Sequence, residues 1–359
     1  MKVINTRIVF LIALIITGLP GLLVTALADD RTTPVNIGVL AHRGADKAVN
    51  EWTPTAHWLT SLLPEYTFHI IPLTNDDIES YVAEKKINFL LTNPASYASL
   101  EAKYRIARIA TKRNLRQGNP YTVFGAIIFT RADRDDIQKP ADLKGKSFMS
   151  VHKNAFGGWW MAKRELQDIG IKDSDFVKLE YSGFPQSKIV FAVRDGKVDA
   201  GTVRTDLLER LTAKGKINSK DFRILNPQKS KTFPFALSTR LYPEWPFATL
   251  DHTPHQLAQE VAIALLTITP DNRAAKAARI AGWTVPLDYN DVHQLMQDLK
   301  VGPYKGHDKG SIMGIDKQHW QWIALSALVF IIMIILAVYV FRLKKQADAC
   351  QSIIENKIS

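Results

Sequence analysis

Cysteine is nearly absent from this chain of 359 residues, in which Cys350 is the only one. A single cysteine cannot close an intrachain disulfide, so the sequence excludes the small disulfide-stabilised folds of secreted proteins. Common catalytic motifs are also missing: there is no G-x-S-x-G elbow, no H-E-x-x-H pair and no phosphate-loop lysine. We therefore predict a protein without enzymatic activity, without a cofactor and without a metal site.

Long apolar runs, by contrast, are present at both ends of the chain. Near the N-terminus, a basic start is followed by an apolar run from Ile8 to Leu27 and by the small-residue triplet Ala26-Leu27-Ala28. This order of charge, apolar core and cleavage site predicts a secretory signal peptide over residues 1–28, with an uncleaved anchor as the alternative. Either reading sends the following residues across a membrane.

The second apolar run, Ile323 to Phe341, predicts a transmembrane helix over residues 320–341. Its uncharged residues would span roughly 28 Å as a helix, close to the hydrocarbon thickness of a bilayer. Three basic residues follow at once, so the positive-inside rule places residues 342–359 in the cytoplasm as a short helical tail. Residues 29–319 are then periplasmic, and the chain crosses the inner membrane once after signal cleavage.

The charge of this exported segment limits its partners. Residues 29–319 hold 40 lysines and arginines against 33 aspartates and glutamates. A basic surface suits a small anionic solute, and anionic lipid is an alternative partner. A segment exported across the membrane does not meet nucleic acid, so we predict no nucleic-acid partner.

Short β-like runs alternate with helical ones along the exported segment, which is typical of an α/β fold. Residues 35–40 predict a first strand, and residues 123–130 are apolar enough for a central strand. We predict two α/β lobes joined by about two chain crossings, lobe one over residues 34–130 and 235–305 and lobe two over residues 131–234. Ligands of such folds bind in the crevice at the carboxyl ends of the strands.

Six motifs occur in the order seen in one group of bacterial receptors: "VNIGVLAHRG", "LLTNPASY", "DLKGKSFMSV", "SGFPQS", "GKVDAGTVRTDLLE" and "STRLYPEWPFA". On these motifs the chain resembles the phosphate/phosphonate-binding family of periplasmic receptors. It looks closest to the periplasmic sensor domain of tetrathionate-type sensor histidine kinases. The resemblance implies a type II periplasmic-binding fold, two α/β lobes that close on ligand by a hinge.

The sequence departs from that family at two positions that matter for the ligand. Asn154-Ala155-Phe156 stands where the phosphonate receptors carry a hydroxyl-rich run, and Phe184-Pro185 stands where they carry a histidine. The loss of these donors points away from phosphate or phosphonate. A weakly hydrated anion, such as a sulfur oxyanion, fits an aromatic-walled site that offers backbone N–H groups.

Several candidate residues have a structural alternative. Gly157 and Gly158 open a predicted helix whose N–H groups would face the cleft, and tight helix–strand packing is the alternative. Arg204 ends a strand just before a helix. Its guanidinium could form a bidentate hydrogen bond with an oxyanion, or it could form an ion pair at the hinge. Tyr97 matches a family tyrosine that contacts ligand. The full set of predicted ligand-binding residues is Arg43, Trp52, Asn93, Tyr97, Asn154, Phe156, Gly157, Gly158, Ser182, Phe184 and Arg204.

The tail bears on signalling. Its apolar residues recur at intervals of four, three and four, as in a short parallel coiled coil: Leu343, Ala347, Cys350 and Ile354. We predict a membrane-anchored periplasmic sensor that forms a homodimer through the transmembrane helix and tail. It would signal to a kinase module or a separate histidine kinase, because residues 342–359 are too few to form a kinase domain. The alternatives are an anchored substrate-binding component of a phosphonate-type ABC importer, which would pair with a permease, and a remnant of a degraded sensor gene.

Overall fold

Two β-sheets with helices packed against them form most of the protein. The computed structural model describes residues 32–306 and 320–358, so the predicted signal peptide lies outside the described residues. The strands are β1 (Thr33–Leu40), β2 (Tyr66–Leu73), β3 (Phe89–Leu91), β4 (Ala107–Arg116), β5 (Asn119–Tyr121), β6 (Val123–Phe124), β7 (Ala126–Arg131), β8 (Ser147–Ser150), β9 (Lys178–Tyr181), β10 (Ala200–Arg204), β11 (Phe222–Leu225), β12 (Tyr242–Pro243), β13 (Pro246–Thr249) and β14 (Ile280–Thr284).

The helices alternate with these strands through most of the chain. They are α1 (Ala45–Leu62), α2 (Asn75–Ala83), α3 (Pro94–Tyr104), α4 (Met161–Asp168), α5 (Ser187–Arg194), α6 (Leu207–Ala213), α7 (His255–Leu266), α8 (Arg273–Ala278), α9 (Asn290–Asp298) and α10 (Trp320–Ile358). A five-residue π-helical turn, Phe156–Trp160, leads directly into α4. The expected α/β alternation is therefore confirmed.

The first lobe is built on a seven-stranded sheet. Its strand order is β14-β4-β13-β3-β1-β2, with β5 paired to β4. Strands β1, β2 and β3 run parallel, because α1 and α2 carry the chain back between them. Helices α7 and α8 pack against β4, β14 and α1, so the chain returns to this lobe near its end, as expected.

The second lobe is built on a five-stranded sheet of order β11-β7-β10-β8-β9. Strands β8, β9 and β10 run parallel, whereas β7 and β11 are antiparallel to their neighbours. The core between this sheet and helices α5 and α6 is apolar and includes the fully buried residues Ile127, Ile189 and Val203.

The chain crosses between the lobes twice, at a small two-stranded sheet formed by β6 and β12. The predicted lobe boundary at residue 130 is wrong, because β7 pairs with β10 and β11 in the second lobe. The apolar run at 123–130 is central, as expected, but to the other sheet. The return crossing likewise falls at β12 rather than at residue 235, because Ser238 still hydrogen-bonds to Ala126 and Ile128 of β7.

Topology brings the carboxyl ends of the parallel strands to one place. Loops that follow β1, β2 and β3 face loops that follow β8 and β9 and the end of β10, and all six contribute to the same cleft. Helices begin at these loops, so their partly positive N-termini point into the cleft as well. This is the crevice that the sequence predicts for the ligand.

Residues from Tyr304 onward form a separate structural unit. Its one described element is α10, in which Ala324–Ala347 have a mean hydropathy of 2.9 and lie exposed throughout. This helix is long and apolar enough to cross a membrane, as the sequence predicts. The tail continues the same helix to Ile358, and the coiled-coil seam on it stays a prediction.

Candidate ligand-binding site

The cleft between the lobes contains two adjoining cavities. We call the first, of about 400 Å³, the aromatic chamber; its walls include Asn93, Phe124, Asn154, Phe156, Gly157 and Gly158. We call the second, of about 550 Å³, the basic chamber; its walls include Arg43, Lys47, Glu51, Lys112, Arg116 and Arg279. Seven residues line both chambers, which are therefore parts of one site: Leu40, Ala41, His42, Phe184, Gln186, Arg204 and Trp245.

Aromatic residues form part of the wall of the aromatic chamber. Phe156 meets Phe124 and Tyr242 edge-on, with ring centroids 6.1 and 5.3 Å apart. Phe124 and Tyr242 are the paired residues of the hinge strands β6 and β12. The chamber wall is thus continuous with the hinge, so movement of the lobes would act on the rings. Trp159, by contrast, is buried in the lobe core against Phe148.

Gly158 is required by packing. A Cβ atom at this position would overlap the Cγ1 atom of Val151 and lie 3.1 Å from the amide nitrogen of Gln186. A Cβ on Gly157 would lie 2.7 Å from the ring of Phe124. Both glycines also line the aromatic chamber, where Trp160 makes the first backbone bond of the π-helical turn by donating to Ala155. The packing alternative therefore applies at both glycines, and the approach of their N–H groups to a ligand stays a prediction.

Asn93 lies in the same chamber but has a structural task. Its side-chain oxygen accepts from the backbone N–H groups of Ala95 and Ser96, both at 3.0 Å, and so caps α3. Its amide nitrogen donates to the hydroxyl of Ser96 at 2.8 Å. Most of the hydrogen-bonding capacity of Asn93 is thus already used.

An uncharged aromatic group separates the two chambers. The ring of His42 lies 5.4 Å from that of Phe184 and 5.0 Å from that of Trp245. Burial, and then the positive charges of Arg43 and Lys112, lower the pKa of His42 to about 3. His42 is therefore neutral at physiological pH and offers an imidazole, not a cation, to the ligand.

The basic chamber carries far more positive than negative charge. Its eight basic residues are Arg43, Lys47, Lys112, Arg116, Arg204, Arg210, Lys214 and Arg279. Three carboxylates pair with five of them. Glu51 lies 3.1 Å from Arg43, and Asp206 lies 2.5 Å from Arg116 and 3.0 Å from Arg210.

The third carboxylate, Glu244, is completely buried between β12 and β13. It forms an ion pair with Arg204 of the second lobe and accepts a hydrogen bond from Asn114 of the first lobe. Lys112 lies 3.9 Å away. Burial alone raises the pKa of Glu244, but the charges of Arg204 and Lys112 outweigh it and the pKa is lowered. Glu244 is therefore an ionised carboxylate that ties the two lobes together beneath the cleft.

Crowding of like charges is visible in the groups around Glu244. Burial, opposed in part by Glu244 and reinforced by Arg204 and Arg116, lowers the pKa of Lys112 to about 7. Burial and Arg204 lower the pKa of Arg116 as well. A bound anion would relieve this repulsion, because it would supply the negative charge that the chamber lacks.

The structure brings most of the predicted site residues to the cleft. The aromatic chamber is lined by Asn93, Asn154, Phe156, Gly157, Gly158, Phe184 and Arg204, and the basic chamber by Arg43, Trp52, Phe184 and Arg204. Trp52 is mainly a core residue, packed against Trp283 at 5.9 Å. Arg204 forms an ion pair with Glu244 at the hinge and also lines both chambers. Its position is therefore compatible with hinge pairing and with binding of an oxyanion.

Two predicted residues do not line either chamber. Tyr97 is fully buried in the first lobe, where its hydroxyl donates to Glu101 at 2.6 Å. That contact points its side chain to the interior instead of the cleft. Ser182 lies one residue from the lining, with its hydroxyl donating to the carbonyl of Gly183.

Sequence reasoning missed the polar and charged residues of β4. Lys112, Asn114 and Arg116 recur at every second position, which in an isolated pattern is typical of the solvent face of a strand. In the folded protein this face instead lies against Glu244 and the cleft, and Lys112 and Asn114 are buried. Two acidic residues that pair with the cleft cations, Asp206 and Glu244, were also missed, because their pairing with Arg116 and Arg204 joins residues that are distant in the sequence.

Two hinged α/β lobes with a ligand-sized cleft between them are the architecture of periplasmic solute-binding proteins. The family described as "ABC transporter, phosphonate, periplasmic substrate-binding protein" matches residues 37–291. The chain belongs to this family, and the expected resemblance is confirmed.

A curated relative and two solved structures extend this result. The chain is 34% identical to the tetrathionate sensor histidine kinase TtrS of Salmonella typhimurium over 269 residues, 75% of this chain but only 44% of that kinase. The structure resembles PhnD1 of Prochlorococcus marinus in complex with methylphosphonate, with a TM-score of 0.58, 12% identity and coverage of 75% and 98% of the two chains.

XAC2383 of Xanthomonas citri, solved with ATP bound, is similarly close, with a TM-score of 0.57, 15% identity and coverage of 74% and 96%. Identities this low show a shared fold only. That fold is the type II periplasmic-binding fold expected from the sequence.

Proposed function

We propose that this chain is a membrane-anchored periplasmic sensor domain that closes its lobes on a small anion and reports the ligand across the inner membrane. The observation that carries the proposal is the excess of cations in a cleft between hinged lobes. Eight basic residues line the basic chamber, and only three carboxylates balance them. An anionic solute is the ligand that such a charge distribution attracts and holds.

The aromatic chamber supports a sulfur oxyanion as the group bound. Ala155 and Phe156 stand in its wall without a hydroxyl, and Phe124 and Phe184 line the same space. A weakly hydrated anion loses little on leaving water, so it suits a wall with few hydroxyl donors. The relative TtrS bears the name of a tetrathionate sensor, which agrees with this choice.

Signalling follows from the hinge and the apolar helix. A ligand that contacts both lobes binds the closed form better than the open form and so shifts the population toward closure. Arg204 of the second lobe and Lys112 of the first meet around Glu244, so closure rearranges charges at the hinge. Helix α10 would carry this change through the membrane as a homodimer to a kinase module or partner kinase.

The ligand is tested by calorimetric titration of the full chain in detergent micelles with tetrathionate, thiosulfate and methylphosphonate. We expect at least one sulfur oxyanion to bind more tightly than methylphosphonate. Binding of methylphosphonate alone would refute the sulfur-oxyanion assignment, and binding of none of the three would refute the anion-receptor assignment.

A second function, the anchored substrate-binding component of an ABC importer, is favoured by the description of the family. Deleting the gene separates the two functions. If the chain is a sensor, the deletion is expected to abolish the transcriptional response to the anion while uptake of the labelled anion continues. If it is an importer component, the deletion is expected to abolish uptake. A neighbouring kinase or response-regulator gene would agree with the first result, and neighbouring permease and ATPase genes with the second.

A further inference from the structure

Lys112 presents an ammonium group that has no hydrogen-bond acceptor among the described residues. Its side chain is only 10% exposed and lines the basic chamber. The nearest carboxylate oxygen, on Glu244, lies 3.9 Å from its Nζ atom, beyond hydrogen-bond distance. Arg204 and Asn114 both contact the other oxygen of that carboxylate, Oε1, and the Oε2 atom that faces Lys112 has no hydrogen-bond partner among the described residues. The other contact of Nζ is the face of Trp245, at 4.5 Å from the ring centroid.

We propose that Lys112 determines the specificity of the cleft for anions and takes up a proton as the anion binds, so that the receptor responds jointly to the anion and to external acidity. The inference rests on the proposed function, because it requires an anion in this cleft. Lys112 would donate to the bound anion directly, since none of its three N–H bonds is within hydrogen-bond distance of an acceptor among the described residues and the group borders the cavity.

The surroundings of Lys112 explain the coupling. Arg43 from the loop after β1, Arg116 from β4 and Arg204 from β10 all repel a positive charge here, and only Glu244 attracts one. His42, beside it, is uncharged. A lysine buried among three guanidinium groups and one shared carboxylate holds its proton weakly, in agreement with a pKa lowered to about 7.

An anion reverses this balance. By supplying negative charge next to Nζ, it raises the pKa of Lys112 in the complex, so the complex holds more protons than the empty receptor above pH 7. The affinity for the anion is therefore highest below the pKa of Lys112 in the empty receptor and falls as pH rises above it. The fall is at most about tenfold per pH unit, the limit for uptake of one proton.

The test is calorimetric titration of the full chain in detergent micelles with thiosulfate at pH 8, in two buffers of different ionisation enthalpy. For the wild type we expect uptake that approaches one proton per anion and an affinity that falls between pH 7 and pH 9. Lys112→Arg keeps a charge that does not titrate, so we expect binding without proton uptake. Lys112→Met should lose at least tenfold in affinity at pH 7.

A matched control is Lys144→Met, an exposed lysine of the second lobe outside the chamber lining. It should keep the wild-type affinity and uptake. Thiosulfate binding without proton uptake in the wild type, or unchanged uptake in Lys112→Arg, would overturn the inference and leave the proposed function standing. If thiosulfate, tetrathionate and methylphosphonate all fail to bind the wild type at any pH, the proposed function and this inference both fall.

Discussion

The aromatic and basic chambers share seven wall residues but are held in shape by different forces. In the aromatic chamber, close packing fixes the wall, because Gly158 fits against Val151 with no room for a side chain. In the basic chamber, a buried carboxylate fixes the wall, because Glu244 gathers Arg204, Lys112 and Asn114 from both lobes. One half of the cleft therefore depends on shape and the other on charge, and substitutions should separate the two.

The largest effect is expected from Glu244→Ala, which removes the charge that the basic chamber is built around. It would leave Arg204 and Lys112 buried beside each other without a counter-charge, at a cost of about 3–5 kcal/mol in the free energy of unfolding. Urea unfolding followed by tryptophan fluorescence measures this loss. The control is Glu84→Ala, whose partner Lys86 and own side chain are both about half exposed, and which should cost at most about 1 kcal/mol. Equal effects of the two substitutions would contradict a charge-built chamber.

Gly158→Ala should have an intermediate effect and act on the aromatic chamber. The new methyl group must displace Val151 or shift the π-helical turn, and overpacking of this kind costs about 1–3 kcal/mol. Thermal unfolding gives the stability change, and anion titration shows whether the chamber is distorted. Lys153→Ala, an exposed change five residues earlier, serves as the control. A stable Gly158→Ala variant with wild-type affinity would show that packing does not shape this wall.

The smallest effect is expected from Asn93→Ala, which asks whether a polar residue of the aromatic chamber serves the fold or the ligand. Loss of the two cap bonds to Ala95 and Ser96 should cost about 1 kcal/mol of stability. The control is Asn154→Ala in the same chamber. The side chain of Asn154 does not cap a helix, so its loss should change stability by less than about 0.5 kcal/mol. If Asn93→Ala lowers anion affinity far more than stability, Asn93 acts on the ligand rather than on α3.

Much of this organisation could be predicted from the sequence, and the reason is local. Strand β1 and helix α5 follow from a short apolar run and from helical spacing, and the loops after them follow from Gly44 and Gly196. Once two α/β lobes are predicted, the loops at strand ends must meet, so Arg43, Phe156 and Phe184 could be placed at a cleft in advance.

The failures have a non-local cause. The strand at 126–131 carries no mark of the sheet to which it belongs, since its apolar residues suit either core, and pairing with β10 and β11 decided the matter. Tyr97 was predicted to contact the ligand because it matches a family tyrosine. Its contacts with Glu101, one turn along the same helix, and with Arg108 of β4 turn it inward, and the pairing with β4 is not visible in a local pattern.

The amino-acid sequence alone predicted an α/β domain, an apolar helix long enough to span a membrane, and an excess of positive charge. Composition and periodicity are properties of the chain, so they survive without coordinates. Only the tertiary structure decided where the charge acts. Glu244, Lys112 and Arg204 are far apart in the chain, and burial together in a medium of low polarity is what turns three ordinary charges into one coupled group.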